Sequence, residues 1–182
     1  MKKVIAMMLC LMLTLSCAAG LAEAAEKNNL STVTVNGAFE IRCALPEGYT
    51  TDTEQLENGG MLSVIKHEDP QKPWMVMSIM FNDLYADVKK LNDLDEEALA
   101  LIESTFTEEF EAEISYAETA HGTKLMVMKE ANGELADVYT IYQGYEIEFV
   151  LVPAESGPEA LTDEQIQLIV DFLSDLDFEP VE

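Results

Sequence analysis

The sequence predicts an α+β fold: an antiparallel β-sheet with a C-terminal four-stranded meander and two main helices packed on it. Three observations carry this reading. Turn dipeptides at His121-Gly122, Asn132-Gly133 and Gln143-Gly144 split residues 114–151 into four short alternating segments. Two stretches, Glu96 to Phe110 and Asp163 to Leu173, have helical periodicity behind clear N-terminal caps. Paired strand-like runs precede the first helix, around Asn36-Gly37 and around the turn Glu68 to Pro73.

The first 24 residues read as an export signal, leaving one domain over 25–182. Lys2 and Lys3 form a positive start, and Val4 to Leu15 is apolar except for Thr14. That run suits a signal peptide and is too short to span a bilayer. Ala22 and Ala24 are small residues suited to cleavage. Cys17 raises an alternative, a lipid anchor, although Thr14 and Leu15 fit a lipobox poorly. Residues 25–30 read as a flexible lead-in.

Ser31 to Val35 and Ala38 to Leu45 read as a hairpin, with Phe39, Ile41, Cys43 and Leu45 on one face. Residues 50–60 are polar, end in Gly59-Gly60 and read as a loop. Met61 to His67 and Trp74 to Phe81 read as strands. The second is apolar on both faces, which predicts cover on both sides. Asp95 caps the first helix, with Leu94 and Leu99 as a hydrophobic staple. Its predicted inner stripe is Ala98, Leu101, Ile102, Thr105, Phe106 and Phe110. Thr162 and Gln165 form a capping box for the last helix, with Leu161 and Ile166 as its staple. Leu176 and Phe178 are expected to tuck the tail back.

Closing each meander turn with two residues sets a register. Ile114, Tyr116, Leu125, Val127, Val138, Thr140, Tyr142, Tyr145, Ile147, Phe149 and Leu151 then share a core face. The opposite face has an apolar centre of Met126, Met128, Tyr139 and Ile141, rimmed by Asp137, Glu146 and Glu148. Adaptable Met and Tyr within a polar rim suit a binding patch, and these four residues are the candidate site. A helix lying over this face is the competing expectation.

The order of elements resembles the PsbP-like α/β/α sandwich. The opening strand Phe39-Glu40-Ile41-Arg42 running into Leu45-Pro46-Glu47-Gly48-Tyr49 carries the resemblance. So do the long helix before the meander and the closing Leu161 to Phe178 segment. Cystatin-like and other α+β sandwiches share part of the pattern. The resemblance implies an accessory or binding role more than catalysis.

Charge narrows the partners. The chain has 10 basic and 35 acidic residues. Nucleic acid and anionic membrane surfaces are excluded, since both need a basic stripe. A hydrophobic fraction of 48% excludes a disordered acidic tail. A protein partner would be basic or bridged by cations.

Little supports catalysis. After the leader the histidines are His67 and His121, and Cys43 is the remaining cysteine, expected to be buried and inert. No nucleophile elbow, phosphate loop, HExxH or CxxC motif is present. Asn92 to Glu97 is acidic but lacks EF-hand spacing, and acids at a helix start complement its dipole. Two Met-x-Met pairs, Met75/Met77 and Met126/Met128, could in principle face a soft cation, but suit core filling better. No cofactor is expected. The expected function is an exported, non-enzymatic binding or accessory module of the bacterial envelope or medium. The alternatives are a small-ligand or Ca²⁺-binding protein and, more remotely, a hydrolase.

The leader reading has a direct check. Intact-mass measurement of the exported chain should give a start at Ala25, or at Glu23 if cleavage follows Ala22. A diacylglyceryl-modified start at Cys17 would establish the anchor instead.

Overall fold

The computed structural model describes residues 30–57, 59–154, 156 and 160–181. The leader, Cys17 and the lead-in up to Asn29 lie outside the described residues. The described residues are mixed α+β, with two antiparallel sheets, two α-helices and two short 3-10 turns.

The smaller sheet joins β1 (Leu30–Val35), β2 (Phe39–Ala44) and β10 (Asp177–Pro180), with β2 in the middle. The Asn36-Gly37 turn forms as expected but spans three residues, since Val35 pairs with Phe39. Leu176 and Phe178 fold back as predicted: both are buried, and Phe178 pairs with Ile41.

The larger sheet has seven strands in the order β3-β4-β5-β9-β8-β7-β6. These are β3 (Tyr49–Gln55), β4 (Met61–His67), β5 (Trp74–Phe81), β6 (Ala112–Glu118), β7 (Lys124–Glu130), β8 (Ala136–Tyr142) and β9 (Tyr145–Val152). Strand β3 corrects the predicted loop at 50–60. Its sequence is Thr-, Asp- and Glu-rich because it is an edge strand, paired to β4 alone and largely exposed. Among the described residues, Leu56, Glu57, Gly59 and Gly60 lie between β3 and β4.

Helix α1 (Glu96–Phe110) and helix α2 (Asp163–Ser174) have the predicted caps. Asp95 Oδ1 accepts from Ala98 N at 2.8 Å. Thr162 and Gln165 bond reciprocally, at 3.2 and 2.9 Å. The buried stripe of α1 is rotated from prediction. Leu101 is 70% exposed and Thr105 is exposed, while Ile102 is buried and Leu99 and Phe106 pack beside it. The Ser104 and Thr105 hydroxyls bond back to the Leu101 carbonyl on the wet side.

Two cores lie on opposite faces of the long sheet. The larger joins Met75, Met77, Leu125, Val138, Ile147 and Phe149 to residues of the small sheet and to Ile169, Phe172 and Leu173 of α2. The smaller consists of Met126, Met128, Tyr139 and Ile141 with Leu91 and Ile102, and Phe106 packs against it. These are the four residues of the proposed binding patch. Their exposures are 0%, 2%, 5% and 0%, so the patch is a core and not an open surface. The physical reason is α1: its Ile102 and Phe106 lie on this face, with the Phe106 and Tyr139 ring centroids 6.0 Å apart.

The predicted register holds for β7, β8 and β9 and fails for β6. Tyr142 pairs with Tyr145 across a two-residue turn, in which Gln143 and Gly144 both have positive φ. The His121-Gly122 turn instead closes three residues: Gly122 N bonds Thr119 O, and Thr119 N bonds Thr123 O. One extra residue flips β6. Ile114 therefore pairs with Met128, Tyr116 pairs with Met126, and both join the α1 face.

Burial of the patch gives a quantitative test. Ile141→Ala should cost about 2–5 kcal/mol, as for a core truncation. An open surface site would lose within about 0.5 kcal/mol. Urea unfolding of the two proteins separates these outcomes.

Candidate functional site

The α1-side face of the long sheet can be followed row by row, because paired residues share a face. One row runs Asp52, Val64, Val76, Val150, Asp137, Met128, Ile114. The next runs Glu54, Leu62, Ser78, Glu148, Tyr139, Met126, Tyr116. The smaller core under α1 takes in Met128, Tyr139 and Met126 of these rows and packs against Ile114 of β6. Over β4, β5 and β9 the face stays partly open: Val64, Trp74, Val76, Ser78, Val150 and Val152 are half-buried, and Met80 is 43% exposed. The expectation that β5 is covered on both sides therefore holds for its Met75, Met77 and Ile79 side and fails for the other.

Carboxylates frame this open half. Asp52 and Glu54 are exposed on the β3 edge. Glu146 Oε1 accepts from Tyr139 Oη at 2.7 Å, and its Oε2 accepts from Asn82 Nδ2 at 2.9 Å. Burial, then the bond to Glu146, raises the Tyr139 phenol. Lys66 lies over the Trp74 ring, 5.1 Å from its centroid.

At the border between the covered and open halves sits a carboxyl pair. Asp137 is opposite Val150 and Glu148 is opposite Tyr139, so the two acids are diagonal neighbours. Glu148 Oε2 accepts from Ser78 Oγ at 3.3 Å. The Asp137 residue keeps some exposure, but its Oδ1 is buried without a hydrogen-bond partner. Burial raises the Asp137 carboxyl well above the ordinary carboxylate range, and the Glu148 charge and hydrogen bond raise it further. The sequence reading placed both acids on the patch rim. Their register from the Gln143-Gly144 turn was the available signal for the pairing.

The remaining candidates are accounted for structurally. His67 Nδ1 accepts from Asp69 N at 2.8 Å, and its ring meets Tyr49 edge-on. His121 is exposed, with Nε2 3.6 Å from Asp177 Oδ1. Cys43 is partly buried, and desolvation pushes its thiol up to about 11, which suits an inert thiol. It borders a cavity of about 10 Å³ between the sheets, lined also by Ile41, Thr51, Ile65, Phe149 and Phe172. That volume is at most one water. In the acidic segment, Asn92 bonds Gly122 O and Lys124 N, Asp93 accepts from Lys90 N, and Asp95 caps α1. Among the described residues, no cluster of three or more His, Cys, Asp or Glu could hold a metal. Met75/Met77 and Met126/Met128 lie on opposite faces of the sheet, so the four sulfurs cannot converge.

The raised Asp137 carboxyl makes a pH prediction. The folded state binds this proton more tightly than the unfolded chain, so its contribution to stability falls as pH rises between the two pKa values. Asp137→Asn removes that loss. Wild type and variant should melt within a degree or so near pH 4. At pH 7.5 the variant should melt higher, by about 2–4 °C per kcal/mol recovered. Equal melting temperatures at both pH values would mean that the carboxyl ionises there at no cost.

Comparison with known proteins gives a structural likeness to set beside this geometry. No protein-family model and no curated protein matches the sequence. The solution structure of cyanobacterial PsbP from Synechocystis sp. PCC 6803 is similar over 87% of this chain and 97% of its own. The sequence identity is 14% and the TM-score 0.48. The likeness is to PsbP at the level of architecture.

Proposed function

We infer that the protein is an exported, non-enzymatic binding or accessory module of the bacterial envelope or medium. It holds a basic or cation-bridged protein partner on the open half of its long sheet. On this reading the fold is a PsbP-like sandwich, with α1 covering one half of a face and leaving the other for the partner.

The half-exposed Val64–Val76–Val150 row carries this reading. It lies beside Trp74 and Met80 and within a frame of Asp52, Glu54, Glu146 and Glu148. An apolar strip with a charged rim has the composition of a binding surface. Lys66 is the lone base of the strand residues on this half of the face, among those described, so the local field is acidic. The whole chain reinforces it: residues 25–182 contain 8 basic and 34 acidic side chains. Such a field accelerates encounter with basic partners and repels acidic ones.

The test is capture from native cells and medium by three baits: wild type, Val76→Lys and Leu168→Lys. Leu168 is 51% exposed on α2, away from the open half-face. A partner held by wild type and Leu168→Lys but lost by a folded Val76→Lys supports the reading. Equal recovery by all three, or no enrichment at all, overturns it. A thermal-shift screen with small ligands and Ca²⁺ then addresses the alternatives, since a ligand at 100 times its Kd adds about 2.7 kcal/mol.

A further inference from the structure

We propose that the Asp137–Glu148 pair is the receptor for one lysine of the partner: the ammonium group enters between the two carboxyls and the alkyl stem lies along Val76 and Val150. The proposal rests on the binding reading above and assigns a specific contact within it.

Four observations converge. Asp137 Oδ1 is buried with no hydrogen-bond partner, a desolvation cost that a protein normally avoids. The adjacent Glu148 is bonded through one oxygen to Ser78 Oγ at 3.3 Å, a long bond for a hydroxyl donor. Among the described residues no salt bridge reaches the pair, and of the strand lysines on this face Lys66 lies over Trp74 and Lys124 over Tyr116. The residues opposite Asp137 and Glu148 toward the open side are Val150 and Ser78, and Val76 lies beyond Val150. A lysine needs this combination, apolar wall for its four methylenes and acceptors for its head.

The chemistry selects among cations. A calcium ion takes six to eight oxygens, and this border provides two carboxyls and one hydroxyl. An ammonium has three donors, which the two carboxyls can accept. The incoming ammonium supplies the donor that Asp137 Oδ1 lacks and a charge opposite to that of Glu148. The other charged groups on this face are already engaged or lie at its edges. Glu146 is bonded to Tyr139 and Asn82, Glu103 of α1 is bonded to Tyr116, and Asp52 and Glu54 lie on the far strand β3.

The probe is n-hexylammonium, titrated into the protein at 150 mM salt while the Val76 and Val150 methyl resonances are followed. Wild type should show saturable shifts at both valines, and n-hexanol should not reproduce them. Asp137→Asn and Glu148→Gln should each weaken binding about tenfold or more, the scale expected when one charged partner is removed. General attraction to an acidic protein predicts almost no change, since each variant removes one acid of 34. Equal affinity in wild type and both variants therefore overturns the proposal, as does an absence of shifts. Ca²⁺ producing the same shifts at lower concentration than hexylammonium overturns it in favour of a divalent site. If the variants bind the probe like wild type while Val76→Lys still loses the captured partner, the surface stands and the lysine receptor falls.

Discussion

The pairing of Tyr142 with Tyr145 across Gln143-Gly144 sets the face that each side chain of β8 and β9 occupies. Because strands have a period of two, that single constraint places Val138, Thr140 and Tyr142 over the larger core. It also sends Asp137, Tyr139 and Ile141 to the α1 side. Strand β5 inherits its register from β9 and β4 from β5, so the constraint passes along the sheet to Asp52 and Glu54. The turn is itself tightly held. Gly144 has a φ of +80°, and a Cβ there would lie 2.9 Å from the Phe81 ring. The loop after β5 grips it as well: Gln143 N and Gly144 N bond to Lys89 O and Val88 O.

Half of the α1-side face stays open for a geometric reason. Strands lie about 4.8 Å apart, so seven of them span about 29 Å. One helix is about 10–12 Å wide. The opposite face meets that width with a three-stranded sheet and α2 together. Among the described residues the α1 side has one α-helix of 15 residues and the short segment that carries Tyr85, Val88 and Leu91. The helix's inner residues Ile102 and Phe106 pack over the β6–β8 end, while on β4 and β5 Leu62 is buried but Val64, Trp74, Val76 and Ser78 keep partial exposure. The carboxyl pair falls at the edge of that cover, where one side is dry and the other wet. This explains a buried acid oxygen beside a partly exposed glutamate.

Elements with local chemistry were legible in the sequence. Asp95, the Thr162/Gln165 box and the spans of β4 and β5 came from caps, turns and alternation, and the structure has them. Three features needed tertiary information. Strand β3 has almost no apolar alternation, because its neighbour β4 and not a core face holds it in place. The dipeptide His121-Gly122 fits two- and three-residue turns alike, and only the Thr119–Thr123 pairing distinguishes them. Leu101 and Thr105 fit a helical stripe by spacing, yet the position of α1 on the sheet turns them outward. The site followed the same division. Met126, Met128, Tyr139 and Ile141 were placed on the right face, but cover by α1 made them core. The Asp137–Glu148 diagonal was implicit in the register, while its chemistry depends on the burial of one oxygen.

The acidic surface explains how an open apolar strip can coexist with an unpaired strand edge. Edge strands and exposed valines invite association between copies of a chain. Here the β3 edge has Asp52 and Glu54, and the β6 edge has Glu113 and Glu118, all exposed. Bringing two copies together at either edge places like charges in contact, at unfavourable energy in addition to the general repulsion of a strongly acidic chain. A basic partner meets the opposite sign of the same field. On the proposed binding reading, the carboxylates that oppose a self-complex favour a basic partner without any change of shape. Asp137 extends this logic inward. Burial raises its carboxyl, so the carboxylate form at this position opposes stability as pH rises, which an asparagine would not.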